Sequence, residues 1–211
     1  MFKVVLMVAH SSSQSRIHKA ALRLFAERGS TVITVSELAE AARVARGTIY
    51  NNGLSPNSLF EDIASQLSDE MNSRVIKTSA YEKDPAYRLA NGIRMYIRRA
   101  HEEPDWGKFI CKFAFSNKAM LGLWAGQDYP VPDVLQGLEY ERYSFRQEQL
   151  ISVMAMIAGG VLTSIFMVLE GHKTWRDIGS EMAELVLIAL GVDAKEAFEI
   201  SRKELPALLE V

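Results

Sequence analysis

The chain has 211 residues, of which 48% are apolar and 24% charged, a balance typical of a folded globular protein and not of a disordered or fibrous one. Its single cysteine excludes an internal disulfide framework and indicates a reducing compartment such as the cytoplasm. The net charge is −2, but residues 1–60 carry seven Lys and Arg against three acids, whereas the remainder carries 17 against 23. A basic N-terminal region joined to an acidic remainder is expected where that region meets a polyanion.

The chain opens on a short apolar run, MFKVVLMVA, which a lysine interrupts and no convincing cleavage site follows. The run is too weak for a signal peptide, and we expect a flexible arm over residues 1–10. A Ser-x-x-Gln capping pattern that begins at Ser11 predicts the start of a first helix. Apolar residues then recur at helical spacing as far as Phe25, and Gly29 is expected to end the helix.

Two further short helices follow. Thr34 opens a second capping box, and the apolar residues behind it keep helical spacing as far as Ala42. A third helix is expected over residues 46–52, with Gly53 as its natural stop. Two short helices with a tight turn also occur in proteins that bind no DNA, but the basic charge of this region favours a helix-turn-helix. The sequence therefore predicts an N-terminal helix-turn-helix DNA-binding domain over residues 1–55.

The rest of the chain has helical punctuation throughout. Ser55 and Pro56 suit the cap and the first residue of a long helix, and no run alternates at the period of two that a half-buried strand requires. Further helices are expected near residues 86–103, 105–117, 131–140, 144–171, 174–190 and 194–204. The predicted fold class is therefore all-α.

Hydrogen-bonding side chains dominate the third predicted helix, which reads RGTIYNN. Asn pairs bidentately with adenine and Arg with guanine, while hydroxyl groups suit phosphate oxygens. This composition predicts that Asn51 and Arg46 read bases and that Thr48 and Tyr50 contact phosphates. Gly47 lets the backbone come close to a duplex.

Four segments within residues 16–64 read AALRLFAERG, TVSELAEAA, VARGTIY and SPNSLF. In their order and spacing they resemble the N-terminal domain of the tetracycline-repressor (TetR) family of transcriptional regulators. The resemblance implies a three-helix DNA-binding domain followed by a helical domain, residues 56–211, that dimerises and holds a small molecule. The implied DNA contacts, together with those above, are Thr34, Ser36, Arg43, Arg46, Gly47, Thr48, Tyr50, Asn51 and Asn52.

The chain departs from the family pattern at four places. Arg43 and Ala45 stand where members usually have Gly in the turn and Ser as the cap of the recognition helix. Asn52 and Pro56 stand where members commonly have a Tyr and a Lys that contact phosphate, and Arg43 and Arg46 are the residues that compensate. The alternative hypothesis is a helical protein-interaction module with a degenerate DNA-binding domain, whose DNA binding would show no salt-dependent slope.

The long apolar helix expected at residues 144–171 contains Gly159 and Gly160, although a mid-helix Gly costs roughly 1 kcal/mol relative to Ala. That cost is tolerable where another backbone approaches closely. By resemblance, this helix and the next one pair with their copies in a four-helix homodimer interface; the alternative is that both apolar stripes face their own core. The predicted interface residues are Val153, Ile157, Gly160, Val161, Ile165, Met182, Leu185 and Ile188.

Aromatic residues are dense between residues 96 and 124, and several methionines add adaptable surface. Such a lining suits a small, largely apolar or aromatic effector, although an aromatic stripe at helical spacing is more often plain core. The predicted pocket residues are Tyr96, Trp106, Phe109, Phe113, Met120, Trp124, Met154 and Ile157.

No pattern indicates an enzyme. The chain lacks the GxSxG, HExxH, P-loop and GxGxxG patterns, and its four histidines are scattered without metal-ligand spacing. We therefore predict no catalytic residue, no metal site, no cofactor and no membrane partner. The expected function is a cytoplasmic, ligand-responsive regulator, by resemblance a repressor. It would bind a two-fold symmetric double-stranded operator as a homodimer, and the helix at residues 56–76 would act as the lever through which the effector releases it.

Overall fold

The computed structural model describes residues 2–54, 59–114 and 130–209, with side chains from Ser13 onward. These residues form ten α-helices and no strand, which confirms the predicted all-α class. The helices are α1 (Phe2–Arg28), α2 (Val35–Ala42), α3 (Arg46–Asn51), α4 (Leu59–Ser79), α5 (Pro85–Glu102), α6 (Pro104–Phe113), α7 (Val131–Glu139), α8 (Leu150–Leu169), α9 (Trp175–Ala189) and α10 (Ala194–Arg202). The predicted helix start at Ser55 and Pro56 lies outside the described residues.

The chain divides into two compact units, the head (Met1–Leu67) and the body (Ser68–Val211), and the boundary lies within α4. The boundary predicted from the sequence, after residue 55, lies ahead of α4. The first turns of α4 belong to the head because they complete its core. Phe60 of α4 meets Phe25 of α1 edge to face, with ring centroids 5.1 Å apart, and both side chains are buried.

The predicted flexible arm at residues 1–10 is helical instead. α1 begins at Phe2 and continues without interruption through Ser11, which therefore does not cap the start of a helix. The first ten residues contain neither Gly nor Pro, so nothing in their composition ends the helix early. The other end of α1 is as predicted. Gly29 adopts φ +65°, and its N–H donates to the carbonyl of Phe25 at 3.0 Å.

A carboxylate joins the end of α1 to the start of α2. The backbone N–H of Thr34 donates to Glu37 at 2.8 Å, and the N–H of Glu37 donates to the Thr34 hydroxyl at 3.2 Å, so the predicted capping box is confirmed. Arg28, the last residue of α1, donates to the other carboxylate oxygen at 2.7 Å. The hydrogen bonds from Thr34, with the guanidinium of Arg28, lower the pKa of Glu37 to about 2.

The body is built around α5. Every residue of this helix from Leu89 to Ile97 is buried, because α6, α7, α8, α9 and α10 all pack against it. The approach of α6 is close enough to require a glycine. A Cβ atom on Gly107 would lie 2.9 Å from the Cβ of Ala100 on α5. A larger residue at position 107 would therefore push the two helices apart.

Buried polar groups tie α5 to α4 as well. The Tyr96 hydroxyl donates to Oδ1 of Asn72 at 2.7 Å, and burial raises the pKa of Tyr96, so this donor stays protonated. Arg99 is nearly fully buried, with its guanidinium 2.7 Å from Glu70 and 4.6 Å from the ring centroid of Trp106. One turn of α4, which contains Glu70 and Asn72, is therefore held by polar contacts from the central helix.

Within the described residues, one helix is long and apolar enough to cross a membrane by length and composition alone. It comprises α8 and the 3₁₀ turn before it, Gln147–Leu169. In this fold α8 packs against α5, α6 and α9, and its inward residues are part of the core. A core helix passes the same test of length and composition, so the observation is weak evidence for a membrane span.

Glu37 predicts a specific pH dependence. Because its pKa in the folded chain lies below the ordinary value of 4.5, the carboxylate stabilises the fold above that pH, and the contribution is lost as the pH falls toward 2. Glu37→Gln is therefore expected to lower the midpoint of urea unfolding near neutral pH and to have little effect near pH 2. Glu40→Gln, an exposed change on the same helix, is the matched control. An unchanged midpoint for Glu37→Gln at neutral pH would contradict this role.

Candidate nucleic-acid interface

Arg43 shapes the turn between α2 and α3. Its backbone is left-handed, with φ 52° and ψ 49°. This conformation costs a residue with a Cβ roughly 1–2 kcal/mol, whereas the glycine usual in similar proteins adopts it freely. The carbonyl of Arg43 accepts from Nη1 of Arg16 on α1 at 3.4 Å, and the N–H of Val44 donates to Ala39 at 2.9 Å. The Arg43 side chain is exposed, so its guanidinium is open to a partner.

α3 presents a polar face because one apolar residue anchors it. Ile49 has no exposed surface, whereas Arg46, Gly47, Tyr50 and Asn51 are exposed, Tyr50 to 52%. On a helical wheel these four positions lie together and away from Ile49. A Cβ atom on Gly47 would meet nothing within 4 Å, so the surface there is open. The predicted reading residues therefore share one accessible surface.

Asn52 closes α3 instead of extending this face. Its Nδ2 donates to the carbonyl of Thr48 at 2.7 Å, which also accepts the backbone N–H of Asn52 at 3.2 Å. The side chain is half-buried. We therefore remove Asn52 from the predicted DNA contacts. Gly53 follows with φ +75°, which confirms it as the stop, and Leu54 is buried beyond it.

The residues predicted at the start of α2 have mixed availability. The Thr34 hydroxyl accepts from the N–H of Glu37 and donates to its carboxylate at 2.7 Å, so both hydrogen-bonding capacities are used within the head. Ser36 is half-buried, as is Thr48 of α3. Thr34 is thus first of all a helix cap, and DNA contacts at these three residues stay predictions.

α1 carries an exposed basic stripe that we counted in the sequence only as net charge. Arg16, Lys19 and Arg23 recur at helical spacing, are exposed, and make no ion pair with any described residue. Arg43 and Arg46 are likewise exposed and unpaired. These five cations of the described head are free to neutralise phosphates. The spacing of the three α1 cations was the sequence signal that we did not use.

The apolar stripe predicted as a dimer interface on α8 lies in the body's own core. Val153, Ile157, Val161 and Ile165 are at most 8% exposed, because α8 packs against α5 and α6. They leave no surface for a partner, and their assignment to an interface was wrong. Gly160 serves a contact within the subunit, where a Cβ atom would come within 2.7 Å of the Met182 sulfur on α9.

The exposed apolar side chains of α8 and α9 are a different set. Ile151, Met156 and Phe166 of α8 are 83%, 39% and 48% exposed, and Leu185 and Ile188 of α9 are 61% and 38% exposed. The two helices pack against each other, so their outer faces are adjacent. Leu185 and Ile188 were predicted interface residues, whereas Met156 and Phe166 were missed because the inner face of α8 is the more apolar one. We call Met156, Phe166, Leu185 and Ile188 the outer apolar face.

The predicted pocket residues that the structure describes are all buried. The most exposed of them is only 8% exposed, and the set is Tyr96, Trp106, Phe109, Phe113, Met154 and Ile157. Met120 and Trp124 lie outside the described residues. Phe109 and Phe113 stack with ring centroids 5.2 Å apart, and Trp106 lies 5.9 Å from Tyr96. Their packing is that of a core, and their contact with a ligand stays a prediction.

A cleft of about 200 Å³ lies instead on α4. The described residues that line it are Asp69, Asn72, Ser73 and Ile76. Of the predicted pocket residues, Tyr96 bonds to this lining through Asn72. Sequence analysis missed the cleft because three of its four residues are polar, and a polar helix face reads as solvated surface.

A helix-turn-helix whose second helix presents exposed Arg and Asn side chains, followed by a wholly helical body, defines a DNA-binding transcriptional regulator. Two family models match the chain: "Bacterial regulatory proteins, tetR family" over residues 17–52 and "Tetracyclin repressor-like, C-terminal domain" over residues 84–203. The chain therefore belongs to the TetR family, as its sequence resemblance implied. This is a family of bacterial regulatory proteins.

Solved structures of similar fold include RolR without ligand, at 25% sequence identity and a TM-score of 0.69, covering 92% of this chain and 99% of that one. The complex of RolR with resorcinol matches at 24% identity and a TM-score of 0.65, covering 95% and 98%. A putative fatty acid metabolism regulator of Clostridium perfringens matches at 17% identity and a TM-score of 0.66, covering 84% and 100%. No curated protein sequence matches the chain.

Arg43→Gly is expected to separate folding from DNA binding. Removal of the left-handed strain should raise the free energy of unfolding by up to about 1 kcal/mol. Loss of a phosphate contact should lower the slope of log K against log salt by about 0.9. Arg43→Lys is the control, because it keeps both the charge and the strain. A glycine variant that is less stable than the parent would refute the strain assigned to Arg43. A glycine variant with the parent's salt slope would refute the phosphate contact assigned to its side chain.

Proposed function

We propose that the protein is a ligand-responsive transcriptional repressor that binds a two-fold symmetric operator as a homodimer and leaves it when a small molecule binds the body. The observation that carries the DNA-binding role is the outward face of α3. Arg46, Gly47, Tyr50 and Asn51 are exposed together while Ile49 holds the helix to the head. A helix with this face fits the major groove, where hydrogen-bonding side chains distinguish base pairs.

We assign base reading to Asn51 and Arg46, the two side chains with bidentate geometry for adenine and guanine. Tyr50 and Arg43 are assigned to phosphates, which position the head without reading sequence. The exposed α1 stripe adds cations that the long-range field of the duplex attracts. With Asn52 used as a helix cap, these cations take the place of the usual phosphate contacts at the end of α3.

The outer apolar face supports the homodimer. Four large apolar side chains on two adjacent helices are between 38% and 61% exposed. Contiguous apolar surface of this kind marks an interaction site. Symmetric dimers of this class present two recognition helices to the two half-sites of one operator.

Two of the similar structures support a small-molecule effector. RolR has been solved both without ligand and with resorcinol. We infer that the body of this chain likewise takes a small molecule, with an aromatic or largely apolar frame. The cleft on α4 is the candidate site in the described part of the body.

The proposed mechanism is a population shift. The effector favours a dimer whose recognition helices no longer match successive major grooves, and α4, continuous from Leu59 to Ser79, acts as the lever. The ligand moves the equilibrium only by the difference between its affinities for the two states. A coupling free energy of about 1–3 kcal/mol is typical and would lower operator affinity roughly 5–150-fold.

The test is selection of binding sites from a randomised duplex pool, followed by a salt titration on the winning site. A two-fold symmetric site with a steep salt slope is the expected result. Recovery of no site above background, with no salt-dependent binding, would refute the proposal and favour a helical protein-interaction module.

Arg46→Ala and Asn51→Ala are each expected to weaken binding to the selected site by about 1–3 kcal/mol and to relax preference at one base position. Asn52→Ala is the matched control because its amide caps α3 and faces no base. It should lower stability while leaving base preference unchanged. If Asn52→Ala changes base preference and Asn51→Ala does not, the two roles are reversed.

Leu185→Glu is expected to convert the dimer to monomer, measured by analytical ultracentrifugation, and to abolish binding to a two-fold site. Leu185 is 61% exposed in the subunit, so the charge should cost the fold little while it opposes burial in an interface. Phe198→Glu is the matched control, an apolar residue of α10 that is 49% exposed outside the outer apolar face. If Phe198→Glu dissociates the dimer and Leu185→Glu does not, the interface includes α10 and not the outer apolar face.

A further inference from the structure

The cleft on α4 has a chemistry from which an effector class follows. Its described lining comes from one helix face, with Asp69, Asn72, Ser73 and Ile76 at successive i, i+3, i+4 and i+7 positions. Three of the four side chains are polar, and one carries a negative charge. Among the described residues, a ligand here meets three hydrogen-bonding side chains of α4 and one apolar side chain, Ile76.

Two of these polar groups have no partner in the described part of the chain. The exposed carboxylate of Asp69 makes neither an ion pair nor a hydrogen bond, and the half-buried hydroxyl of Ser73 makes no hydrogen bond. Glu70, the next residue along, contrasts with them because it pairs with Arg74 at 3.1 Å and Arg99 at 2.7 Å. Glu70 is therefore ion-paired, whereas Asp69, the acid that lines the cleft, is unpaired among the described residues.

Asn72 is held in one orientation. It is 7% exposed, and its Oδ1 accepts the hydroxyl of Tyr96, so the amide cannot turn freely toward either end of the cleft. Burial raises the pKa of Tyr96, and the phenol stays a donor at any physiological pH. Tyr96 is therefore a positioning residue for this lining.

The size of the cleft selects a small ligand. Its volume of about 200 Å³ is below the roughly 300–1,000 Å³ of pockets for drug-sized molecules. It is somewhat larger than a cavity of about 150 Å³ that takes benzene. A single substituted ring fits this volume, whereas a long acyl chain does not.

The charge of the cleft selects among single rings. A carboxylate accepts hydrogen bonds from hydroxyl and amino groups, and such charge-assisted bonds are about twice as strong as neutral ones. The same carboxylate repels an anionic ligand. Ile76, 42% exposed, offers the apolar contact that a ring needs.

We propose that the effector is a single-ring molecule with at least one hydroxyl or amino donor and no carboxylate, bound with its donor on Asp69 and Ser73 and its ring against Ile76. This inference rests on the proposed function and specifies the ligand of that regulator. Fatty acids and aromatic acids fall outside the class.

The test uses the full-length protein without DNA, and calorimetry with matched probes. Phenol, catechol and benzyl alcohol carry the donor, 1,2-dimethoxybenzene keeps the ring without it, and benzoate and octanoate carry the charge. At least one donor probe is expected to bind ten times more tightly than the ether and both anions. Binding of benzoate or octanoate more tightly than every donor probe, or no binding by any donor probe, would overturn the proposal.

Variants place the binding in this cleft. Asp69→Asn is expected to lower the affinity for the best donor probe about tenfold. It should also reduce the difference in affinity between that probe and benzoate, because the repulsion of anions is removed. Tyr96→Phe should lower the affinity for that probe less and leave the discrimination against benzoate intact. Asp105→Asn, an exposed change on α6, is the control. A donor probe that binds Asp69→Asn as tightly as the parent would show that the site lies elsewhere and overturn the assignment.

Operator binding by the same samples separates this inference from the function on which it rests. If the parent protein binds its operator but no donor probe, the proposed regulatory function stands and the proposed effector class is refuted. A parent that binds a donor probe through Asp69 but no DNA keeps the ligand site and removes the regulator.

Discussion

Burial of α5 on every side is the constraint on which the body depends. The stretch Leu89–Ile97 has no exposed residue, and a buried polar group left without a hydrogen bond costs about 1–3 kcal/mol. Two polar side chains of this helix find partners on a neighbouring helix, whereas Nη1 of the buried Arg94 has no hydrogen-bond partner among the described residues. Tyr96 takes Asn72, and Arg99 takes Glu70, and both partners belong to α4. The position of α4 in the body is thus set by the hydrogen-bond demand of α5 and not by apolar packing alone.

The same helix also completes the head, where Phe60 packs against Phe25 of α1. α4 is therefore fixed at its start by an aromatic contact and farther along by buried hydrogen bonds, and the cleft lies among its later turns. In the proposed mechanism, a ligand that binds Asp69 and Ser73 acts on α4, which is already hydrogen-bonded to α5 through Asn72 and Tyr96. Small changes at such a helix have two discrete outcomes because packed cores do not deform continuously.

Predictions from the sequence succeeded where a local rule decides the structure. The capping box at Thr34, the stop at Gly53 and the all-α class depend on residues within a few positions of each other. They failed where tertiary packing decides. The apolar stripe of α8 that includes Val153 has the same sequence pattern whether it packs in the core of the subunit or in a dimer interface. Periodicity alone therefore could not distinguish the two locations. Asn52 could face DNA or its own helix end, and only the position of the Thr48 carbonyl distinguishes the two.

The departures of the head from its family are physically linked. α3 has six residues and is preceded by Ala45, an N-cap residue that offers no side-chain hydrogen bond, and helices this short are marginal without tertiary support. Ile49 gives that support from one side, and the Asn52 amide adds a second hydrogen bond to the Thr48 carbonyl at the helix end. The cap removes Asn52 from the set that can reach a phosphate. In the proposed function, cations that lie outside the end of α3 contact the DNA backbone instead. Arg43 is one of these cations, and its backbone is strained because it is left-handed.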